Sequence, residues 1–521
     1  MKLSNISRSI SNKIIRNICH KIYETPSALL RGGGAQSSAF DDIWGWWRAD
    51  TYTGANPTIA LTDLSGNSRT MTQQAGTLTP GTAANGQARM VGNAAAYLTS
   101  SATLNSWPVT IVSYGQRTDG TSQGFFGHTG ASGFNTLWTG YESLNRQFIL
   151  NTNGAENTNT ATDGVWVARI GWGSRHAIIN GISQSGNTLA QIARSSAIAT
   201  TLGTQYRGLN YAFQETMVWD RVLSLAELDE VYTYLNTRYG ASIPLQSSYT
   251  PAPTIIIIGD SNAAGRGDRG ASDVNIPAEY LGAISGANVW ANTGGSNSTG
   301  NAFESLSNTV VKTGFVGNHM FSDNTTRPSG YVGCESALCK EYLDSHGGDV
   351  WLNKHGVGGS YLDYVAAQTF WHHSKGGLAQ INGLRGIGIV GNEWWRSVAI
   401  HNATGRRPDI KGIIVFLGGN DASDVSGVAS AAFQDNLTDF YPALRAELGF
   451  PTAKIFQARW HSGSVEPFTS TVRAATDAVV AATANCQLID MDGYELRGGG
   501  DTGHYSINGQ IELGQDLAAM L

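Results

Sequence analysis

Thr254 to Gly267 reads T-I-I-I-I-G-D-S-N-A-A-G-R-G, and the rest of the chain is organised around it. Four consecutive isoleucines are β-branched and apolar at every position, the pattern of a strand covered on both faces in a parallel sheet. The run stops at Gly259-Asp260-Ser261-Asn262, where a tight turn leaves Ser261 at the carboxyl end of the strand. Ligands bind at that end in open α/β sheets. A serine there is a nucleophile only if a base, an orienting acid and oxyanion donors converge on it. Otherwise the tetrapeptide is a turn that caps the next helix, and on these residues alone the two readings weigh the same.

Downstream, apolar β-like runs alternate with helical ones. Asp349 to Asn353, Gly412 to Leu417, Ala453 to Ala458 and Gln487 to Met491 read as strands. Glu335 to Ser345, Val428 to Leu448, Phe468 to Ala484 and Asn508 to Leu521 read as helices. That alternation predicts βαβ units and a parallel sheet with helices on both faces. Ala291 to Gly333 and Val365 to Asp409 read as insertions rich in turn-forming or aromatic residues, and loops of that size usually carry function.

Upstream, Ala241 to Pro253 (A-S-I-P-L-Q-S-S-Y-T-P-A-P) reads as a linker and the clearest domain boundary. Residues 40–240 hold short β segments such as Val109 to Ser113 and Ala177 to Ile182, broken by Gly, Asn, Ser and Thr, which predicts a β-sandwich. It closes on a helix with capping-box spacing at Ser224 and Glu227, and Gly240 stands where that helix ends.

Residues 1–39 carry six Lys/Arg against the single acid Glu24, and Ile6, Ile10, Ile14, Ile18 and Ile22 form one stripe on a helix. No uninterrupted apolar run is present, so neither a Sec signal peptide nor a membrane span is expected. A docking helix onto a larger assembly is preferred; an organellar transit peptide, a membrane-surface helix and a frayed basic tail stay open. Residues 31–39 then read as a Gly-rich hinge.

The whole chain has 521 residues, too many for one core. Its hydrophobic fraction is 41%, but only 14% of residues are charged and glycine numbers 64, which predicts a neutral, hydroxyl-rich surface. A net charge of -6 gives no reason to expect nucleic acid as a partner. Cys19, Cys334, Cys339 and Cys486 show neither zinc-site spacing nor a disulfide framework, and Cys334 and Cys339 read as buried thiols.

Four separated stretches fall near carboxyl ends of predicted strands: Gly259-Asp-Ser-Asn262, Gly356-Val-Gly-Gly-Ser360, Leu417-Gly-Gly-Asn-Asp421 and Asp501-Thr-Gly-His504. Acyl transfer needs a nucleophile, a base, an acid that holds the base's tautomer, and donors for the oxyanion. Ser261, His504 and Asp501 can fill the first three roles. Backbone N–H groups of Ser261 and Gly359, with the Asn420 amide, can supply the donors, and glycine at 359 lets the backbone approach a substrate. Asp260 and Asp421 read as braces for their loops. No metal and no cofactor is expected: His372-His373 has no third ligand at useful spacing.

The order and wording of these blocks resemble the SGNH (GDSL-like) hydrolase superfamily over nearly all of 254–521. Gly259-Asp-Ser-Asn-Ala-Ala-Gly-Arg-Gly267 is similar to its sialate O-acetylesterase and carbohydrate acetylesterase branch. That branch usually has Gln where this chain has Asp260, and Gly-Glu where it has Gly419-Asn420. The resemblance implies a three-layer α/β/α serine esterase that works without metal and removes acetyl groups from sugars. Trp46-Trp-Arg-Ala-Asp50, the Asp63-Leu-Ser-Gly-Asn67 turn and Trp219 to Glu227 with Tyr234 to Gly240 resemble a concanavalin A-like (laminin-G-type) jelly roll. Such domains bind glycans or only pack and trimerise, and the structural role is slightly preferred.

Asn262, Arg266, Trp371, Trp394 and Trp395 are candidate contacts for a glycan, although the aromatics fit a satellite core equally well. His355 and His461 read as structural or site-lining. The preferred function is an O-acetylesterase acting on an acetylated glycan as a phage virion spike or tail-fibre component. It is expected to be homo-oligomeric, virion-borne or extracellular, and joined to its assembly through residues 1–39. The alternative is a non-enzymatic glycan-binding or structural spike that keeps a hydrolase scaffold; a lipase-like or thioester hydrolase is disfavoured for want of an apolar lid.

Overall fold

The isoleucine run is the middle of a seven-stranded sheet. Its strands are β1 (Thr250–Gly259), β2 (Ala283–Ala291), β3 (Ala302–Ser307), β4 (Val350–Gly356), β5 (Arg406–Phe416), β6 (Ile455–Arg459) and β7 (Cys486–Asp490). They lie in the order β3-β2-β4-β1-β5-β6-β7. All neighbours are parallel except β2 and β3. From β1 the chain goes out on one side to β2 and the edge strand β3, returns to β4 beside β1, then crosses to β5 and continues outward through β6 and β7. Strand order therefore reverses between β1 and β5, the switch point at which a crevice opens in such sheets.

The computed structural model describes residues 38–93, 95–104, 108–117, 123–128, 138–141, 149–150, 164–170, 175–179, 182–183, 199–202, 211–263, 267–268, 277–280, 283–291, 302–307, 331–356, 359–363, 371–372, 387–497 and 502–521. The isoleucine stripe of 1–37, Arg266, His373 and Asp501 lie outside the described residues.

All four isoleucines are fully buried, and they alternate between two cores. Ile255 and Ile257 meet Leu338 and Tyr342 of α2 (Glu335–His346) and Leu513 and Leu517 of α6 (Ile507–Met520). Ile256 and Ile258 join the cluster holding Trp394 and Val398 of α3 (Ile387–Ala403) and Phe433 and Leu437 of α5 (Val428–Leu448). Burying each side chain contributes roughly 1.5–3 kcal/mol before entropy is counted, which explains an unbroken apolar run at the centre of the sheet. The β4 strand is less apolar: Lys354 is buried and pairs with Glu335 at the start of α2 at 2.8 Å.

The amino-terminal half is β-rich and antiparallel among its described residues. Gly45–Thr53 pairs with Tyr211–Trp219, which pairs with Val109–Arg117, which pairs in turn with Gly164–Ile170. Neighbouring residues again divide between two cores: Trp47, Ile111 and Val218 on one side, Trp46, Val112 and Met217 on the other. The Asp63–Asn67 turn is stapled by its own side chains, Asp63 accepting Trp46 and Ser65 N–H and Asn67 donating to the Ile43 carbonyl. α1 (Leu225–Tyr239) begins with the expected capping box, Ser224 N–H to Glu227 at 2.7 Å and Glu227 N–H to Ser224 Oγ at 3.2 Å, and ends on Gly240 at φ 63°.

Two expectations are corrected. Residues 241–253 are no loose linker: Asn236 holds both polar groups of Ile243, Asp229 accepts the Gln246 and Ser247 N–H groups, and β1 already starts at Thr250. The stretch from Val365 to Asp409 contains α3 and the start of β5. Residues 393–399 of α3 are buried without interruption, the polar Glu393, Arg396 and Ser397 included, so the helix has no exposed face there.

The two halves share one apolar cluster. At its polar centre the buried Arg169 guanidinium lies 4.0 Å over the Trp395 ring and donates to the Leu223 carbonyl at 2.5 Å. His176 stacks on Trp395, with ring centroids 4.2 Å apart and planes 9° from parallel. Among the described residues no helix is long and apolar enough to cross a membrane.

Burial, with Arg169 adding to it, pushes the His176 imidazole well below its ordinary value of 6.5. The folded chain keeps the ring neutral while the unfolded chain takes up a proton as pH falls through about 6.5. His176 therefore leaves stability unchanged above that pH and lowers it progressively below. His176→Phe, which keeps a flat ring on Trp395, should show a smaller drop in melting temperature between pH 7 and pH 5 than the parent chain. Identical drops in parent and variant would show that this imidazole does not govern the acid sensitivity.

Candidate active site

The site is built where β1, β4 and β5 end. Gly259, the last residue of β1, is in register with Gly356 on one side and Phe416 on the other. The turns that follow these strands consequently leave the sheet side by side. Gly259 has φ +138°, and a Cβ on it would stand 2.0 Å from the Phe416 carbonyl oxygen. Conformation and space together demand glycine. The next N–H, of Asp260, donates to that carbonyl at 2.8 Å and pins the turn to the end of β5. Asp260 is buried, and its Oδ1 accepts the Asn262 N–H at 2.9 Å, a side-chain-closed turn that presents Ser261.

His504 Nε2 lies 2.7 Å from Ser261 Oγ, although 243 residues separate them. With the ring proton on Nδ1, Nε2 accepts the hydroxyl hydrogen, the contact a general base needs. The histidine backbone is held against the segment before it: its carbonyl accepts the Arg497 N–H at 2.8 Å, and Tyr505 forms an antiparallel bridge with Leu496. A second tie joins the same two segments, because Asn262 Nδ2 donates to the Gly503 carbonyl at 3.0 Å. Buried Tyr505 lies behind the turn, and burial with the charge of Asp260 pushes its hydroxyl well above the usual range.

The third block follows β5 as α4 (Gly419–Ser423). Gly418 has φ +122°, and a Cβ on Gly419 would stand 2.4 Å from the Trp460 ring, so both glycines are required. Asn420 Nδ2 donates to the Ser360 carbonyl at 2.9 Å; its second amide hydrogen has no partner among the described residues. Asp421 is buried and accepts the N–H of Leu362, at 2.9 and 3.1 Å, and that of Asp363 at 3.1 Å. Burial pushes its carboxyl up to about 7, against the pull of those N–H groups. Gly359 takes φ +74° and is exposed, with no atom within 4 Å of where a Cβ would sit.

The structure thus brings Ser261 and His504 together and sets Asn420 against the segment that carries Gly359. The expected aromatic contacts are corrected. Trp371, Trp394 and Trp395 are buried. Their indoles serve the protein: Trp371 Nε1 donates to Ser360 Oγ at 2.8 Å, Trp394 Nε1 to the Leu448 carbonyl at 2.9 Å, and Trp395 packs on Arg169 and His176. A ring covered on both faces has no surface left for a sugar. Asn262 is likewise buried, its amide committed to Gly503. His355 and His372 are buried, and His461 Nδ1 accepts the Gly463 N–H in a turn. Sequence reasoning missed the Asn262–Gly503 tie and the part of Tyr505; no spacing rule signals a side chain that reaches a backbone group 241 residues away. Among the described residues no group of three or more His, Cys, Asp or Glu is placed to hold a metal ion.

Comparison with known proteins bears on residues 252–521, which match the family profile described as carbohydrate esterase, sialic acid-specific acetylesterase. Among curated proteins no sequence match is found. Among solved structures, a protein of Arabidopsis thaliana is similar at 18% identity and TM-score 0.36, covering 52% of this chain and 97% of its own. A carbohydrate acetylesterase from Xanthomonas citri is similar at 12% identity and TM-score 0.33, covering 78% of this chain and 68% of its own. NanS is similar at 14% identity and TM-score 0.37, covering 52% of this chain and 97% of its own. These are distant likenesses.

Asn262→Ala removes the hydrogen bond from a buried side chain to the Gly503 carbonyl. It should lower stability by about 1–3 kcal/mol in urea melts, and lower esterase turnover further by loosening the approach of His504 to Ser261. Unchanged melts and unchanged turnover would show that the tie holds nothing.

Proposed function

The chain belongs to the carbohydrate esterase, sialic acid-specific acetylesterase family, and from that premise we propose that it is a serine esterase removing O-acetyl groups from a carbohydrate. The observation that carries the reading is the 2.7 Å contact between His504 Nε2 and Ser261 Oγ at the carboxyl end of β1. In this reading His504 takes the serine proton as Oγ attacks the acetyl carbonyl, then returns it to the leaving sugar hydroxyl. Water repeats the sequence on the acetyl-enzyme. Asp501, three residues before His504, is the acid that orients the imidazole. The N–H groups of Ser261 and Gly359 and the free amide hydrogen of Asn420 receive the oxyanion. No residue of this scheme draws on a metal.

In the same proposal the β-rich half is a concanavalin A-like jelly roll that orients the esterase on its polysaccharide. Support comes from its antiparallel pairing and from the Asp63–Asn67 turn. The basic isoleucine stripe of residues 1–39 supports attachment to a larger assembly, a virion spike or tail fibre acting on host surface glycan and built from several copies of the chain.

Ser261→Ala should abolish release of p-nitrophenol from p-nitrophenyl acetate, with losses on the order of 10⁶-fold, and leave the melting curve in place. The same variant should release no acetate from an acetylated-glycan panel. Turnover near the parent rate would sink the serine mechanism, and absence of turnover in the parent chain itself would leave the non-enzymatic spike standing.

Asn420→Ala separates an oxyanion donor from a plain turn residue. Loss of a donor should cost about a hundredfold in turnover with little change in KM. Asn420→Asp should be worse, since a carboxylate repels the developing oxyanion. Normal turnover in the aspartate variant would remove Asn420 from the oxyanion site.

A further inference from the structure

The loop that carries Gly359 is fixed from two directions, by Asp421 beside Asn420 on one side and by Trp371 on the other, and neither Asp421 nor Trp371 belongs to the reacting groups. Gly359 is exposed at positive φ with open space where a side chain would be, so packing around it does not set its position. Its position is inherited from the residues that follow. From the side of α4, Asn420 Nδ2 holds the Ser360 carbonyl, and the Asp421 carboxyl holds the N–H groups of Leu362 and Asp363. From the other side, Trp371 Nε1 donates to Ser360 Oγ at 2.8 Å, Trp371 N–H to the Tyr361 carbonyl at 2.9 Å, and His372 N–H to the Leu362 carbonyl at 3.0 Å. Each residue from Ser360 to Asp363 is thus gripped through at least one polar group.

We propose that Asp421 and Trp371 are positioning residues that hold the Gly359 segment where its N–H meets the transition-state oxyanion. The role rests on the serine-esterase reading. Asp421 is fully buried and both its oxygens face backbone N–H groups, so it grips the loop and does not meet substrate. Trp371 is 1% exposed, and both of its N–H groups are spent on Ser360 and Tyr361. An oxyanion donor acts only within a narrow range of distance and direction, and a displacement of about 1 Å costs up to roughly a hundredfold in rate. Two anchors on one short segment supply that definition without touching the substrate. The segment around Trp371 then serves the reaction by bracing.

The test is steady-state kinetics of the full chain on p-nitrophenyl acetate, with melting curves, for Asp421→Ala, Asp421→Asn, Trp371→Phe and Ser261→Ala. Asp421→Ala should lower kcat by about ten- to a hundredfold while KM stays within about twofold, because ground-state binding does not use the oxyanion donors. Asp421→Asn keeps an acceptor oxygen for Leu362 and Asp363 and should recover at least part of that loss. Trp371→Phe keeps the ring and deletes one donor, and its kcat should fall by a smaller factor with KM again steady. Parent kcat in folded Asp421→Ala, or an asparagine variant as impaired as alanine and equally folded, would overturn the positioning role of Asp421. Parent kcat in Trp371→Phe would overturn that of Trp371. If the alanine variant fails to fold, the asparagine and phenylalanine variants decide. Turnover by Ser261→Ala would refute the serine reading itself, whatever the other variants do.

Discussion

Gly259 lies so close to the carbonyl of Phe416 that a methyl group would be 2.0 Å from its oxygen. That approach happens where strand order reverses, between β1 and β5. Connections that leave two neighbouring parallel strands in opposite directions at a switch point would open a crevice with nothing to fix its walls. Here the Asp260 N–H closes the crevice at its base by bonding the same carbonyl. The serine turn therefore starts from a point fixed relative to the end of β5, and the Asn420 segment starts from that point too. The Ser261 and Asn420 segments share an origin before any side chain is considered. A residue with a Cβ at 259 would force the strands apart and separate them.

Much of this was legible in the sequence because its strongest signals are local. The isoleucine run, the capping box at Ser224 and Glu227, and the Gly-containing blocks each depend on neighbours a few residues away, and each reappears in the structure. What was illegible depends on partners far along the chain. α3 buries its polar Glu393, Arg396 and Ser397 as well as its tryptophans, and Glu393 is met there by Trp290, 103 residues away. β2 carries Gly286 at φ +84° where its pairing with β3 shifts register, and a glycine inside a strand reads as a turn. The tryptophans illustrate the same limit. Trp371, Trp394 and Trp395 have the composition of a sugar platform, and only burial distinguishes that from packing.

The joint between the halves shows how a costly group can still hold two bodies together. Burying Arg169 is unfavourable, and its guanidinium is pushed down from the ordinary arginine value by that burial. Trp395 beneath it, the Leu223 carbonyl and the nearby Glu447 charge offset part of that cost. Gly449 belongs to the same joint: at φ +78° a Cβ would stand 2.8 Å from Arg169 Nη2 and 3.1 Å from the Trp395 ring. Charge, ring and glycine fit in one arrangement only, so the contact specifies geometry more than it adds stability. With Asp229 fixing the Gln246 and Ser247 N–H groups next door, the β-rich half is set at a defined angle to the sheet instead of swinging on a linker.

The four blocks finally explain each other through residues beside those of the proposed site. Ser261 faces His504, and its neighbour Asn262 binds the carbonyl of Gly503, the residue before His504. Asn420 binds the Ser360 carbonyl, and its neighbour Asp421 binds the N–H groups two and three residues further on. Gly259 and Asp260 join the first block to the third through Phe416. Serine turn, histidine segment, α4 and the glycine loop are thereby joined in one chain of direct contacts. Side-chain-to-backbone bonds suit this purpose, because each fixes a segment of main chain rather than another mobile side chain and leaves fewer rotamers to freeze. A block whose first residue faces the proposed site and whose second residue anchors another segment needs two polar residues in succession, and Ser261-Asn262 and Asn420-Asp421 both have that form.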